Sequence, residues 1–143
     1  MLKARNPNYL DRVQEKINAN LFGRHMGFKI TSIDVGKVKG EMHNAEFLYQ
    51  QDDFVHGGAI AAVADIVTGF SAYTLAAENE FIVTAEIKIS YFKPCIGDRV
   101  EAIGWVLKPG SRMHFCEAEV FVFKGEQKIL VAKASTTMAV VKK

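Results

Sequence analysis

The chain has 143 residues, 49% of them hydrophobic, and a formal net charge of +2. That is enough for one domain with a sizeable core and too little for two ordinary ones, so residues 1–143 are read as a single domain. Scattered lysines exclude a nucleic-acid-binding stripe, and the opening MLKARNPNYLDR has no apolar run of the kind a signal peptide needs, which predicts a cytoplasmic protein.

Pro7 to Leu21 is predicted to be an amphipathic helix. Leu10, Val13, Ile17 and Leu21 recur at spacings of three and four, and Asp11, Arg12, Glu15 and Lys16 take the other face. Asn6 or Asn8 is placed to cap its start and Gly23 to end it. Two short strands follow between Phe28 and Ala45, meeting at Gly36. Phe47 to Val55 has neither helical nor strand periodicity and reads as a loop, with Asp52 and Asp53 positioned to cap what comes next.

The stretch FVHGGAIAAVADIVTGFSAYTLAA, Phe54 to Ala77, is apolar all round a helical wheel and belongs inside the protein. Asp65 near its middle, with Thr68, Ser71 and Tyr73, argues against a membrane span. Beyond it the period changes to two. Strands are predicted over Ile82–Phe92, Val100–Leu107, Arg112–Phe123 and Lys128–Val141, separated by turns at Pro94-Cys95-Ile96-Gly97-Asp98, Lys108-Pro109-Gly110-Ser111 and Lys124-Gly125-Glu126. Consecutive strands joined by short turns are antiparallel. The fold class is therefore α+β: one sheet of about six strands around one long helix, with a short N-terminal helix. A flat sheet covers only one side of such a helix, so the sheet curls round it and a second copy of the chain covers the rest.

At the helix start, Gly57 and Gly58 leave backbone N–H groups unobstructed at the positive end of the helix dipole, where an oxyanion would be stabilised. Asp65, alone among apolar neighbours, is the candidate general base on water or direct nucleophile. Thr84 on the next strand is placed to orient that water. His56 at the helix entry reads first as a loop-fixing group and second as a base. Eight residues separate Gly57 from Asp65, roughly 12 Å of helix axis. One carbonyl cannot touch both in one chain, so the carboxylate at each site must come from another subunit. His25, His43, His114, Cys95 and Cys116 have no metal-ligand spacing, Ser71 lacks a GxSxG elbow, and no phosphate-binding glycine pattern is present. No metal or cofactor is expected.

His56-Gly57-Gly58 followed by Asp65, then Thr84 to Pro94 with Gly97-Asp98, then Lys108 to Arg112, resembles the hotdog-fold acyl-CoA thioesterases of the PaaI type. The resemblance covers about Phe28 to Val141. It implies a curved antiparallel sheet wrapped round the long helix, pairing into a homodimer or homotetramer, and hydrolysis of acyl-CoA to free acid and CoA. Asp65 matches the catalytic carboxylate, Gly57 the oxyanion donor and Thr84 a water-holding hydroxyl. Where many members carry Asn six residues before the histidine, this chain has Gln50, an amide on a longer arm, with Gln51 the alternative. Lys93, Lys108 and Arg112, with Ser111 between the last two, are candidate contacts to the CoA phosphates. Phe70, Tyr73 and Phe81 are candidates to shape the acyl pocket, with plain core packing the stronger reading. The competing functions are a non-catalytic acyl-CoA-binding hotdog protein, an inactive homologue and a dehydratase; the last would need a second His on the central helix, which is absent.

Overall fold

The computed structural model describes all 143 residues. Helices α1 (Tyr9–Ala19) and α2 (Leu21–Met26) precede a hairpin of β1 (Lys29–Asp34) and β2 (Lys37–His43). A loop with one 3-10 turn, Glu46–Leu48, leads into the long helix α3 (Gly57–Tyr73). Four strands complete the chain: β3 (Glu80–Tyr91), β4 (Arg99–Lys108), β5 (Met113–Lys124) and β6 (Gln127–Lys142).

The N-terminal region departs from expectation. One helix to Leu21 was predicted, but α1 stops at Ala19 because the Asn20 side chain accepts from the Gly23 N–H and starts a second helix. Gly23 lies buried inside α2, and it is Gly27, with φ of 76°, that ends the pair. Of the four residues expected to face the core, Val13 is fully buried and Ile17 packs beside it, whereas Leu10 and Leu21 remain exposed.

The six strands form one antiparallel sheet in the order β1-β2-β4-β5-β6-β3. Alternation along each strand turns Val38, Met42, Val100, Ala102, Ala118, Val120, Ala132 and Ala134 toward α3. The helix packs against five strands, β2 to β6. Laid flat these would span roughly 19 Å, wider than a helix of about 10 Å, so the sheet must curve around it. Contact is close at Gly104 on β4, where an added Cβ would stand 2.6 Å from the Val67 carbonyl carbon.

Charges that alternation assigns to solvent are buried. Glu80 accepts from both Arg5 and the Ala77 N–H, and Arg12 donates to the Ala77 and Glu80 carbonyls. Glu101 lies 2.9 Å from Lys128 and 3.2 Å from Lys39. Burial alone would raise both carboxyls, but the Ala77 N–H and Arg5 outweigh it at Glu80, and Lys128 and Lys39 at Glu101, so both lie below their ordinary 4.5. Buried His114 is pushed below its ordinary 6.5 by desolvation and then by Arg5, with Glu80 opposing. In all three cases the unfolded chain takes up the proton at higher pH than the folded one. Their stabilisation is thus present above the unfolded values and lost as pH falls through the folded ones. Denaturant midpoints are expected to fall between pH 7.5 and 5.5 through His114, and again below 4.5 through the two glutamates; a midpoint flat from pH 7.5 to 3.5 would contradict this.

Within the chain the sheet covers one side of the long helix and leaves the other open. Ile60, Val63, Ala64, Val67 and Ser71 are buried against the sheet, while Ala61, Ala62, Asp65, Ile66, Gly69 and Tyr73 form a half-exposed face. The edge strand β3 is also bare, with Val83 43% and Ile87 39% exposed, and a bulge interrupts its pairing between Thr84 and Glu86. No helix is long and apolar enough to cross a membrane.

Candidate active site

The loop before α3 is tied down by its backbone. Gln50 donates to the Phe54 carbonyl at 2.9 Å, Tyr49 bridges Val55, and His56 donates to the Leu48 carbonyl at 2.7 Å. Asp53 takes a positive φ of 65° within this turn. Neither Asp52 nor Asp53 caps the helix as expected. His56 is the N-cap: its Nδ1 accepts from the Gly58 N–H at 2.7 Å, and its carbonyl accepts from Ala59 and Ile60. An imidazole whose Nδ1 accepts carries its proton on Nε2, and here the ring fixes the helix start.

That arrangement distinguishes the two glycines. The Gly58 N–H is engaged by His56, and no carbonyl of the chain accepts from the Gly57 N–H. The Gly57 carbonyl accepts from the Tyr91 hydroxyl at 2.6 Å, and a Cβ on Gly57 would meet the Tyr91 ring at 3.3 Å. The helix tip therefore presents one free, positively polarised donor beside an aromatic wall. Burial pushes the Tyr91 phenol above its ordinary 10.0, so the hydroxyl keeps its proton and stays a donor.

Two turns along α3, half-buried Asp65 accepts from the Thr84 hydroxyl, Oγ1 to Oδ1, at 2.6 Å. The bond fixes one carboxylate oxygen and leaves the other without a hydrogen-bond partner in the chain, on the half-exposed face of α3. Thr84 keeps lone pairs free to accept from a water. Gln50 is half-buried in the loop, where its side-chain oxygen accepts from the Asp52 N–H; this leaves its NH2 end as the free donor. Gln51 is exposed and lies 3.4 Å from Asp52 Oδ2.

Within one protomer the predicted residues thus fall into three groups. Gln50, Gln51, His56, Gly57 and Gly58 gather at the helix tip, and Lys93 lines a cavity that Gly57 also lines. Asp65 and Thr84 form a pair mid-helix. Lys108, Ser111 and Arg112 lie in the β4–β5 turn at the opposite end of α3, where Val106 bonds Gly36 and Gly36 bonds the Thr74 hydroxyl. Phe70 is a core residue, with Tyr73 and Phe81 half-buried near that same end. No three His, Cys, Asp or Glu side chains converge to hold a metal ion. Sequence reasoning did not single out Tyr91, although its place on an alternating strand three residues before Pro94 marks it as facing the helix tip. Nor did it find the cavity behind it, which forms only when β3, β6 and the 94–95 turn meet.

The sequence pattern of the thioesterase superfamily matches residues 53–129, which hold Gly57, Asp65, Thr84 and the 108–112 turn. The chain is 24% identical over 108 residues to the proofreading thioesterase EntH of Klebsiella pneumoniae, covering 76% of this chain and 79% of that protein. Among solved structures, a thioesterase family protein from Silicibacter pomeroyi superposes with a TM-score of 0.93 at 24% identity, covering 95% of this chain and 100% of the other. The E. coli PaaI protein from the phenylacetic acid degradation operon superposes with a TM-score of 0.84 at 17% identity, covering 96% of each. The six-stranded antiparallel sheet with one long helix and short N-terminal helices is the hotdog fold of these thioesterase structures.

Proposed function

The chain belongs to the thioesterase superfamily, and on that premise we propose that it hydrolyses acyl-CoA thioesters at two equivalent sites, each assembled from two copies of the chain. Thioester hydrolysis is the chemistry of the family; the acyl-CoA substrate, the residue roles and the dimer are our reading. One observation carries it: the free donor at Gly57 and the Thr84-held carboxylate of Asp65 lie about 12 Å apart on one helix. A two-fold pairing of the bare β3 edges would run the half-exposed faces of two α3 helices antiparallel, bringing the tip of one to the middle of the other. It would also cover Val83 and Ile87 and satisfy the open strand edge.

In this arrangement the thioester carbonyl oxygen accepts from the Gly57 N–H and from the Gln50 amide. A water held by the partner's Thr84 gives a proton to the partner's Asp65 as its oxygen attacks the carbonyl carbon. The negative charge that develops on the carbonyl oxygen is stabilised at the helix tip. Collapse breaks the carbon–sulfur bond, the CoA sulfur leaves with the proton Asp65 took, and the free acid remains. Attack by Asp65 itself would pass through an anhydride that water then opens, using the same groups. Lys93 beside the tip, and the partner's Lys108, Ser111 and Arg112 brought round by the two-fold axis, supply charge and donors for the CoA phosphates. Such a substrate places the protein in the cytoplasm. The test is a panel of acyl-CoAs read by release of free thiol, with the particle sized in the same buffer. Turnover by a dimer or tetramer is the expected result; a strict monomer, or binding without thiol release, would overturn it.

A further inference from the structure

Beside the Gly57 tip lies a cavity of about 300 Å³ whose lining is mostly hydrophobic. Its floor is Val55, Ile60, Cys95 and Val131, each at most 4% exposed, and its outer rim is formed by the exposed Tyr91, Phe92, Lys93 and Pro94 with half-exposed Gly57. The Tyr91 hydroxyl on its wall is already spent on the Gly57 carbonyl, and the Cys95 thiol is held neutral, pushed up by burial to about 11. Apart from Lys93 at the rim, such a wall offers an acyl group no charge and almost no donor. A carboxylate or amine carried on the acyl tail would enter without compensation, at several kcal/mol.

Resting on the hydrolase reading above, we infer that this cavity holds the acyl group, with the thioester carbonyl at its mouth against Gly57 and CoA leaving past Lys93, and that it selects compact apolar acyl chains. Three observations agree on this occupant. Gly57, which carries the one free helix-tip donor, lines the cavity. Its floor is closed by buried apolar side chains. A cation stands at the rim, on the side the phosphates must take. Since each water-sized group occupies about 30 Å³, the space admits an acyl group of roughly ten such units, a medium-length or single-ring acyl. Longer chains meet Cys95 and Val131. Cys95 is thus a specificity-determining residue, at the depth where the chain ends.

The experiment compares kcat/KM across straight-chain acyl-CoAs from two to sixteen carbons, with phenylacetyl-CoA and the ω-carboxylate glutaryl-CoA, for wild type, Cys95→Met and Cys95→Ala. Wild type is expected to peak at six to ten carbons, as the volume estimate implies, and to disfavour glutaryl-CoA against hexanoyl-CoA by at least about a hundredfold. Cys95→Met puts a flexible thioether into the cavity, and the decanoyl-to-butyryl ratio falls about tenfold; Cys95→Ala deepens the floor and raises it. Turnover with one unchanged length profile in both variants, or a wild-type optimum at sixteen carbons, removes the acyl group from this cavity while leaving the hydrolase intact. No thiol release from any acyl-CoA sinks the hydrolase and this inference together. If Cys95→Met fails to fold, the Cys95→Ala profile decides alone.

Discussion

Asp65→Asn is expected to lower kcat for acyl-CoA hydrolysis by about 10²- to 10⁴-fold, the range a positioned general base supplies, with the melting temperature nearly unchanged. Asn keeps the volume and an oxygen for the 2.6 Å bond from Thr84, so the α3–β3 contact survives. What it loses is the ability to take a proton or attack. Asp65 is half-buried and has one hydrogen-bonded oxygen, so the neutral side chain leaves no charge behind and stability is spared. Thr84→Val separates the roles further, removing the water-orienting hydroxyl while leaving the carboxylate. Equal thiol release from Asp65→Asn and wild type, both folded, would remove the carboxylate from the mechanism.

Gly104→Val is expected to be strongly destabilising, costing about 3 kcal/mol and roughly 10 °C of melting temperature. The reason is backbone against backbone. A Cβ at this position would stand 2.6 Å from the Val67 carbonyl carbon and 2.8 Å from the Thr68 nitrogen, and no rotamer change relieves that. The contact is reinforced by Ser71, whose hydroxyl bonds the Gly104 carbonyl at 2.9 Å. Pushing α3 off β4 would tilt both ends of the helix, and with them the Gly57 tip and Asp65. A melting temperature within 2 °C of wild type (less than about 1 kcal/mol) would show that the helix does not sit on the sheet as described.

How much of this was legible in the sequence follows the physics of each signal. The α3 stretch and its glycine tip were readable because apolar composition, an isolated acid and a change from helical to alternating period occur within forty residues. The turns at Gly36 and Gly125 were readable because positive φ selects glycine there. Strand order was not readable: β3 follows the helix yet pairs with β6 at the sheet edge, a choice made by long-range packing and not by local pattern. The burial of Glu80, Glu101 and His114 was not readable for a related reason. Periodicity assigns a charged residue to solvent, and only the fold reveals that Arg5 and Arg12 arrive from the N-terminus to meet Glu80, or Lys39 and Lys128 to meet Glu101. The distinction between Gly57 and Gly58 also needed coordinates, since it turns on which N–H the His56 ring engages.

The claim beneath the mechanism is that each site takes its donor from one protomer and its acid from the other. The direct measurement is complementation between two inactive variants, Asp65→Asn and Gly57→Pro. Proline is tolerated at the first helical position and removes the N–H, His56 before it already has the extended ψ of 137° that proline requires, and the added ring needs the Tyr91 side chain, 3.3 Å from a Cβ there, to give by a few tenths of an ångström. When the two variants are unfolded together, refolded and assayed, random pairing gives half heterodimers, each with one site holding both an intact tip and an intact acid. Thiol release at about a quarter of the wild-type rate is the predicted result. If donor and acid instead served one site from one chain, every site in the mixture would lack one of them, and activity no greater than that of the separate variants would contradict the account.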